Sequence, residues 1–217
     1  MLTLLPLVYA ACRISAALMV AGVKWALIGR FRPFVRPLWS NFVWRLELQN
    51  ALYEFFATPL ILNALRGTPF LPAHLRLLGV KVGRCAYIDT TGFLEYDLTE
   101  IGDRAALNEG CVLQTHLFED RILKAARLRI GAGCTVGAGS VVLYDSEIEA
   151  GSRLDAISLL MKGERLPAGT SWAGIPAAWQ DSFDRARIVE GPLPALAAGF
   201  PLRQHERDGE SSSGSVA

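Results

Sequence analysis

The sequence predicts a mainly β protein built around a parallel β-helix, with apolar helical segments before it. Three observations lead to this fold class. A large aliphatic residue recurs at every sixth position through the second half of the chain, and a small residue precedes most of these aliphatics by two positions. The first 29 residues carry only two charges, Arg13 and Lys24. The net charge of the 217 residues is +1, which gives no global basic field and predicts no nucleic-acid partner.

The six-residue period defines the β-helix. From Ile130 to Leu166 every sixth residue is aliphatic, and two shorter runs upstream keep the same spacing. Three six-residue sides make one coil, so stacked coils predict three inward columns: Val82/Ile101/Ile130/Ile148, Ile88/Leu107/Val136/Leu154 and Leu94/Leu113/Val142/Leu160. All twelve are aliphatic, and repeat units bury apolar side chains only against neighbouring coils. We place this domain at residues 73–175.

The region before the coils is predicted to associate with a membrane. Residues 1–29 are long and apolar enough to cross a hydrocarbon core of about 30 Å, although Arg13 near the middle disfavours contact with lipid. The alternative is a buried helix of a soluble fold. Residues 30–72 predict an amphipathic helical segment. By the positive-inside rule, the domain lies on the cytoplasmic face of the cell membrane, because the basic residues follow the apolar segment: Arg30, Arg32 and Arg36.

The end of the chain and the cysteines complete the predicted organisation. Residues 176–202 predict a capping helix and an extension, with Pro176 in the first turn, and residues 203–217 predict a disordered tail. The four cysteines show no paired spacing, so we predict no metal site. Cys111 and Cys134 fall in the slots for small residues, which predicts that they pack in the core.

The one large interruption of the coils begins beside a histidine. His116 lies three positions after Leu113, and its equivalents in the neighbouring coils are Asp97 and Asp145. Stacked strands lie about 4.8 Å apart, so the imidazole is predicted at a corner between two carboxylates. A carboxylate on one ring nitrogen fixes the tautomer and leaves the other nitrogen free as a base. The alternative is a histidine that is hydrogen-bonded for structure alone.

The coils, the histidine-bearing loop and the closing residues 172–177 resemble hexapeptide-repeat acyltransferases, whose fold is a left-handed parallel β-helix. The sequence is most similar to the C-terminal tandem domains of polylysine-synthetase-type nonribosomal peptide synthetases, where such domains alternate with transmembrane helices. This resemblance covers residues 20–177, and the stretch around His116 is its most specific part. The residues that carry it are 24–31, 37–40, 66–70, 75–79, 105–110, 113–121 and 161–163.

The resemblance implies an acyltransferase-like domain that forms an amide between a carrier-bound aminoacyl thioester and an amino-group acceptor. It assigns His116 as the base, with Asp97 or Asp145 orienting the ring. Asn108 or backbone amides then stabilise the oxyanion. No cofactor is resident, since the donor is tethered to phosphopantetheine on a carrier protein. The loop offers candidate contacts to substrate or carrier: Glu119, Asp120, Arg121 and Lys124.

Two other functions remain open at this point. One is coenzyme-A-dependent O- or N-acetylation of a small molecule, and the other is a non-catalytic membrane scaffold for a synthetase. Coenzyme-A-dependent relatives usually carry Lys or Arg where this chain has Ala178, which favours the carrier-tethered donor. The synthetases also contain adenylation and carrier domains, so we expect either a piece of a synthetase or a subunit that acts on a carrier in trans. Related isolated domains are usually homotrimers, which predicts self-association or pairing with a related domain.

Overall fold

The computed structural model describes residues 4–180, and the predicted coils form their core. Three sheets of parallel strands make the faces of a prism. The first face contains β2 (Lys81–Val82), β5 (Thr99–Ile101), β10 (Leu128–Ile130), β13 (Glu147–Ile148) and β16 (Arg165–Leu166). The second contains β3 (Tyr87–Ile88), β6 (Ala106–Leu107), β11 (Thr135–Val136), β14 (Arg153–Leu154) and β17 (Ser171–Ala173). The third contains β4 (Gly92–Phe93), β7 (Val112–Gln114), β12 (Val141–Leu143) and β15 (Leu159–Leu160). This architecture fits a left-handed parallel β-helix.

The strand register confirms two of the predicted columns and corrects the third at one position. Ile101 pairs with Ile130, and Leu107 pairs with Val136, as the six-residue period requires. In the third column Phe93, not Leu94, pairs with Leu113, and Phe93 is only 2% exposed. The side of the first coil that ends at Phe93 has one residue fewer than the six-residue repeat predicts. The corner after it is longer and contains a 3₁₀ turn at Tyr96–Leu98.

The small residues that precede the inward aliphatics link successive coils by hydrogen bonds. Ser140 Oγ donates to the carbonyl of Asp155 at 2.7 Å, fifteen residues later in the chain. Ser146 and Ser152 repeat this bond with the carbonyls of Met161 and Pro167, and Cys134 Sγ donates to the carbonyl of Glu149. The repeat therefore gives each of these buried hydroxyl and thiol groups a backbone carbonyl to bond, in addition to avoiding steric overlap.

Cysteine reactivity provides a test of this register. Burial raises the pKa of the Cys111 thiol to about 12 and also raises the pKa of Cys134, whereas Cys85 is exposed on a turn. The thiolate is the reactive form, so Cys85 should react with iodoacetamide at pH 8 well before Cys111 and Cys134. Peptide mass spectrometry of timed samples measures the order, and unfolding in denaturant should make all three react alike. Early modification of Cys111 in the folded protein would show that the coils are placed wrongly.

Helices precede the coils. The helical segment predicted at residues 30–72 is helical only in part, because it also contains a strand. The helices are α1 (Leu4–Leu27), α2 (Asn41–Leu52), a π-helix (Tyr53–Leu62), α3 (Asn63–Leu65) and α4 (Phe70–Leu78). Between α1 and α2 lies the strand β1 (Phe34–Pro37), after which Ser40 caps α2 by accepting from the backbone N–H of Val43. The inner sides of the helices join the coil core through fully buried side chains: Val20, Leu46, Ala57, Leu62, Leu71 and Leu75.

The outer sides of the helices remain apolar. In the described part of the chain, Leu5–Leu27 is the helical stretch that is long and apolar enough to cross a membrane, and 17% of its apolar window is buried. Arg13, the charge near its middle, donates from Nε to the carbonyl of Leu60 on the π-helix, so the protein itself satisfies part of its hydrogen bonding. Large apolar side chains are exposed on this region: Leu5, Val8, Ile14, Leu18, Trp44, Leu48 and Phe55.

The predicted capping helix is wrong over its described part. Residues 178–180 form the strand β18 (Ala178–Gln180), which pairs antiparallel with β17 and sets Trp179 opposite Trp172. The last coil leaves one edge of β17 without a partner, and β18 covers that edge. The remainder of the predicted helix and the predicted tail, residues 181–217, lie outside the described residues.

Candidate active site

The interruption of the coils is a β-hairpin. The chain leaves the third face after Gln114, forms β8 (His116–Glu119) and β9 (Ile122–Ala125), and rejoins the coils at β10, as the spacing predicted. Asp120 and Arg121 make its two-residue turn with φ of 50° and 61°, which matches the twist of a tight hairpin. Strand β1 pairs with β9, so the segment after α1 holds the hairpin against the coils.

His116 forms a buried pair with Glu95. Its Nδ1–H donates to Glu95 Oε1 at 2.7 Å, and Glu95 Oε2 accepts from Thr115 Oγ1 at 2.5 Å. Glu95 is fully buried, and the side chain of His116 is 7% exposed. A carboxylate that accepts at both oxygens requires a proton on Nδ1, so Nε2 is the nitrogen that carries the lone pair in the neutral imidazole. No residue between 4 and 180 hydrogen-bonds to Nε2, so this nitrogen is available as a base.

Neighbouring groups fix the position of the imidazole. Gln114 Nε2 donates to the carbonyl of His116 at 3.0 Å, and the ring of Phe118 packs edge-on against the imidazole at 5.3 Å between centroids. A base whose ring and backbone are both held needs little reorganisation to meet a reacting group.

Asp97, predicted to orient His116, instead anchors α1. Its carboxylate accepts from Lys24 Nζ at 2.7 Å and from the backbone N–H of Phe31 at 3.0 Å. The longer corner after Phe93 turns Asp97 away from the hairpin and towards the end of α1. Gly79 packs so closely there that a Cβ would lie 2.5 Å from Asp97 Oδ1. Asp97 is therefore a structural residue, and Glu95 takes the place predicted for it.

Asp97→Asn should lower stability rather than turnover. Lys24 is fully buried, and the substitution removes its counter-ion, which in comparable buried pairs costs about 3–5 kcal/mol. Lys24→Met, which removes the other charge, should destabilise by a similar amount. Denaturant unfolding of the purified protein measures both variants. An Asp97→Asn protein that is as stable as the wild type but inactive would return Asp97 to the active site.

Neither Asp145 nor Asn108 makes a hydrogen bond with His116 in the described part of the chain. Asp145 occupies a coil corner with φ of 61°, where it lines a shallow polar depression with Arg127 and Arg165. Asn108 Nδ2 donates to the carbonyl of Val136 at 2.9 Å, so its amide secures a coil turn. The structure gives the bond to Nδ1 to Glu95, so the orienting role predicted for Asp145 has no contact to support it. The oxyanion role predicted for Asn108 has no support in this geometry, because its side chain bonds within the second face.

The loop residues predicted to contact a carrier form their own surface cluster. Glu119 accepts from Lys124 Nζ at 3.0 Å and from Lys162 Nζ. Hydrogen bonds from Lys162 and Lys124 lower the pKa of the Glu119 carboxyl. Asp120 and Arg121 are occupied in the hairpin turn, so their backbone has a structural role. A carrier contact at this cluster stays a prediction.

Two pockets are lined by residues that are close to the dyad in the chain, but neither His116 nor Glu95 is among their lining residues. One, of about 240 Å³, lies between the third face and the helices, and includes Leu94 and Gln114. The other, of about 360 Å³, has Asp97 in its wall and is rich in basic side chains: Arg30, Arg32, Lys81, Arg127 and Arg129. Within residues 4–180, no group of three His, Cys, Asp or Glu side chains is arranged to hold a metal ion.

One known protein is similar to most of this chain. No family model matches the chain. Delta-poly-L-ornithine synthetase of Acinetobacter baumannii is 45% identical over 176 residues, which is 81% of this chain and 13% of that protein. This chain therefore spans only a small part of that relative's length.

Solved structures were compared as well. A hexapeptide-repeat acetyltransferase of Vibrio cholerae covers 66% of this chain and 94% of its own, with 16% identity and a TM-score of 0.46. The match to soybean serine acetyltransferase in complex with serine covers 78% of this chain and 70% of that protein, with 17% identity and a TM-score of 0.39. The relative at 45% identity, which matches 81% of this chain, shows that the chain belongs to the same family as the corresponding part of delta-poly-L-ornithine synthetase.

Proposed function

We propose that this domain joins a carrier-bound aminoacyl thioester to an amino-group acceptor by an amide bond. The observation that carries the proposal is the buried pair of His116 and Glu95, which holds the ring through Nδ1 and leaves Nε2 without a hydrogen-bond partner among residues 4–180. The relative from Acinetobacter supports it, since the name of that synthetase gives as its product a polymer of ornithine, an amino acid with an aliphatic amine on its side chain.

The chemistry requires one base and one thioester. The amine nitrogen attacks the thioester carbonyl carbon, and His116 Nε2 takes the proton that the nitrogen loses. Glu95 stabilises the imidazolium that forms, through the hydrogen bond from Nδ1–H. The tetrahedral intermediate then collapses by breaking the C–S bond, and the imidazolium returns the proton to the departing thiolate. The products are an amide and a free thiol, and the base is restored.

The identity of the acyl donor is tested by supplying the protein with each candidate donor in turn. We expect amide product when the protein receives an amine acceptor and an aminoacyl group on a phosphopantetheinylated carrier, as detected by mass spectrometry. Transfer from acetyl-coenzyme A to the same acceptor would favour the small-molecule acetyltransferase instead. The absence of product from both donors, with normal folding and with retention of a synthetase partner, would leave the scaffold function.

We further propose that the domain sits on the cytoplasmic face of the cell membrane and self-associates or pairs with a related domain. The exposed apolar faces of α1 and α2 and the arginines after α1 support the membrane contact. A reporter fused to the C-terminus should then be active only in the cytoplasm. Cross-linking in detergent should give oligomers, and a fully active monomer would contradict self-association.

Membrane attachment can be tested without disturbing the core. Leu5 and Val8 are 70% and 57% exposed, so replacing both with Glu should reduce co-sedimentation with vesicles and leave the fold intact. Ile157→Glu is the matched control, because Ile157 is 71% exposed on a coil turn far along the chain. Equal vesicle binding by wild type and the double variant would contradict attachment through the N-terminal part of α1.

A further inference from the structure

The pocket of about 360 Å³, here called the basic pocket, carries an excess of positive charge. Five basic and two acidic side chains line it, which gives a net charge of +3. The basic residues are Arg30, Arg32, Lys81, Arg127 and Arg129. Cations of the protein already pair with both acids. Asp97 accepts from the buried ammonium of Lys24 at 2.7 Å, and Glu100 accepts from Lys81 Nζ at 3.2 Å. With both acids paired, the pocket attracts an anion.

Two of the arginines are free to bind that anion. Within residues 4–180, the side chains of Arg32 and Arg127 make no ion pair or hydrogen bond, and both are exposed. Arg129, by contrast, lies within 4.0 Å of the carboxylates of Glu100 and Glu147. A guanidinium group matches the geometry of a phosphate, which has enough oxygens to accept from two arginines at once. A phosphate bound by Arg32 and Arg127 would break no existing pair.

The basic pocket lies next to the end of the apolar helix α1. The helix ends at Leu27, and Arg30 and Phe31 of the pocket follow directly in the chain. In the last turn of α1, Trp25 is 44% exposed and its indole N–H donates to the carbonyl of Leu77. Tryptophan is enriched at the level of lipid headgroups, and basic residues beside an apolar segment meet the phosphates of anionic lipids. An anion bound here therefore has an exposed apolar surface beside it.

We propose, on the basis of the membrane contact proposed above, that the basic pocket binds the phosphate of an anionic phospholipid. Arg32 and Arg127 hold the phosphate oxygens, and the acyl chains lie along the exposed side of α1. The positive charge of the pocket favours a headgroup with an uncharged alcohol, as in phosphatidylglycerol. An ammonium headgroup, as in phosphatidylethanolamine, would be repelled by the remaining cations of the lining.

Vesicle binding measures the contribution of the two arginines. Arg32→Gln combined with Arg127→Gln should weaken partitioning onto vesicles of phosphatidylcholine and phosphatidylglycerol by about tenfold to thirtyfold, the effect expected for two basic residues near an anionic surface. Binding to phosphatidylcholine alone should change little. Arg84→Gln combined with Arg104→Gln is the matched control, because it removes the same charge from exposed coil turns outside the pocket. An equal loss in the control would show that net charge alone is responsible and would overturn the inference.

Direct binding separates the inference from the proposed membrane contact. Calorimetric titration with dihexanoylphosphatidylglycerol below its micelle concentration needs no membrane. Binding by the wild type that weakens in the double variant of Arg32 and Arg127, but not in the control, would support the pocket even if the protein failed to attach to vesicles. Dihexanoylphosphatidylethanolamine should bind more weakly.

Two results would overturn the lipid assignment. One is the absence of binding of dihexanoylphosphatidylglycerol by the wild type; if the protein still attached to vesicles, the membrane contact would stand without this pocket. The other is tighter binding of 4′-phosphopantetheine or inorganic phosphate through the same arginines, which would assign the pocket to a different phosphate.

Discussion

Replacing His116 with alanine should lower the rate of amide formation by about 10²- to 10⁴-fold at saturating donor and acceptor. The acceptor nitrogen must lose a proton as it attacks the thioester, and Nε2 of His116 is the base that the hairpin presents. The variant should also lose stability, because it leaves the fully buried carboxylate of Glu95 without this partner, so kcat is compared at a temperature at which both proteins are folded. The measurement is kcat by product quantification, with circular dichroism to confirm folding.

Glu95→Gln should cause part of the same loss. The substitution keeps the size of the side chain and removes the charge that stabilises the imidazolium, so Glu95 acts as a positioning residue. Because the two residues act as one unit, His116→Ala combined with Glu95→Gln should be little slower than His116→Ala alone. Asp145→Asn is the matched control and should retain wild-type turnover, since the hydrogen bond to the imidazole comes from Glu95 and not from Asp145. Normal kcat in His116→Ala would remove the mechanism and favour the scaffold.

The sequence was sufficient to predict the coils because their core repeats. An inward residue of a β-helix meets equivalent residues in the coils above and below, so a single period predicts the position of each column. The prediction was wrong at Leu94, where one side of the first coil is a residue short. The side that ends at Phe93 has one residue fewer than the repeat, and the corner after it is longer, so the columns are back in register at Ile101. The spacing of the later aliphatic residues therefore does not reveal where the missing residue is.

The same displacement explains why Glu95 was missed. Counting from Leu94 made Asp97 equivalent to His116, whereas counting from Phe93 makes Glu95 equivalent to Thr115, which donates to it. An alignment of Phe93 with Leu113 would have offered Glu95 as the acid. The contact between Glu95 and His116 depends on the path of the hairpin, which the six-residue repeat does not predict.

The helical region shows a second limit of pattern reasoning. Hydropathy found the apolar stretch of α1, but a window average cannot show that Lys24 is buried against Asp97 or that Arg13 bonds to the π-helix. These are contacts between residues that lie 73 and 47 positions apart in the chain. Local propensity cannot predict such pairs, because tertiary packing decides which polar groups meet.

Replacing Leu154 with aspartate should prevent the domain from folding. Leu154 is fully buried in the second face, between Val136 and Trp172 in the neighbouring coils. An unpaired carboxylate at this position costs several kcal/mol, comparable with the whole stability of a typical domain. Leu154→Ala offers a graded comparison and should lose about 2–5 kcal/mol by leaving a cavity.

Ile157→Asp is the matched control for this prediction. Ile157 lies three residues further on a turn, is 71% exposed and has φ of 54°, a conformation that Asp adopts more easily than Ile. It should therefore fold as well as the wild type. Circular dichroism, thermal unfolding and limited proteolysis would separate the three variants. Because every inward position is supported by two neighbouring coils, a Leu154→Asp protein that melts like the wild type would mean that the column containing Val136 and Leu154 does not face the core.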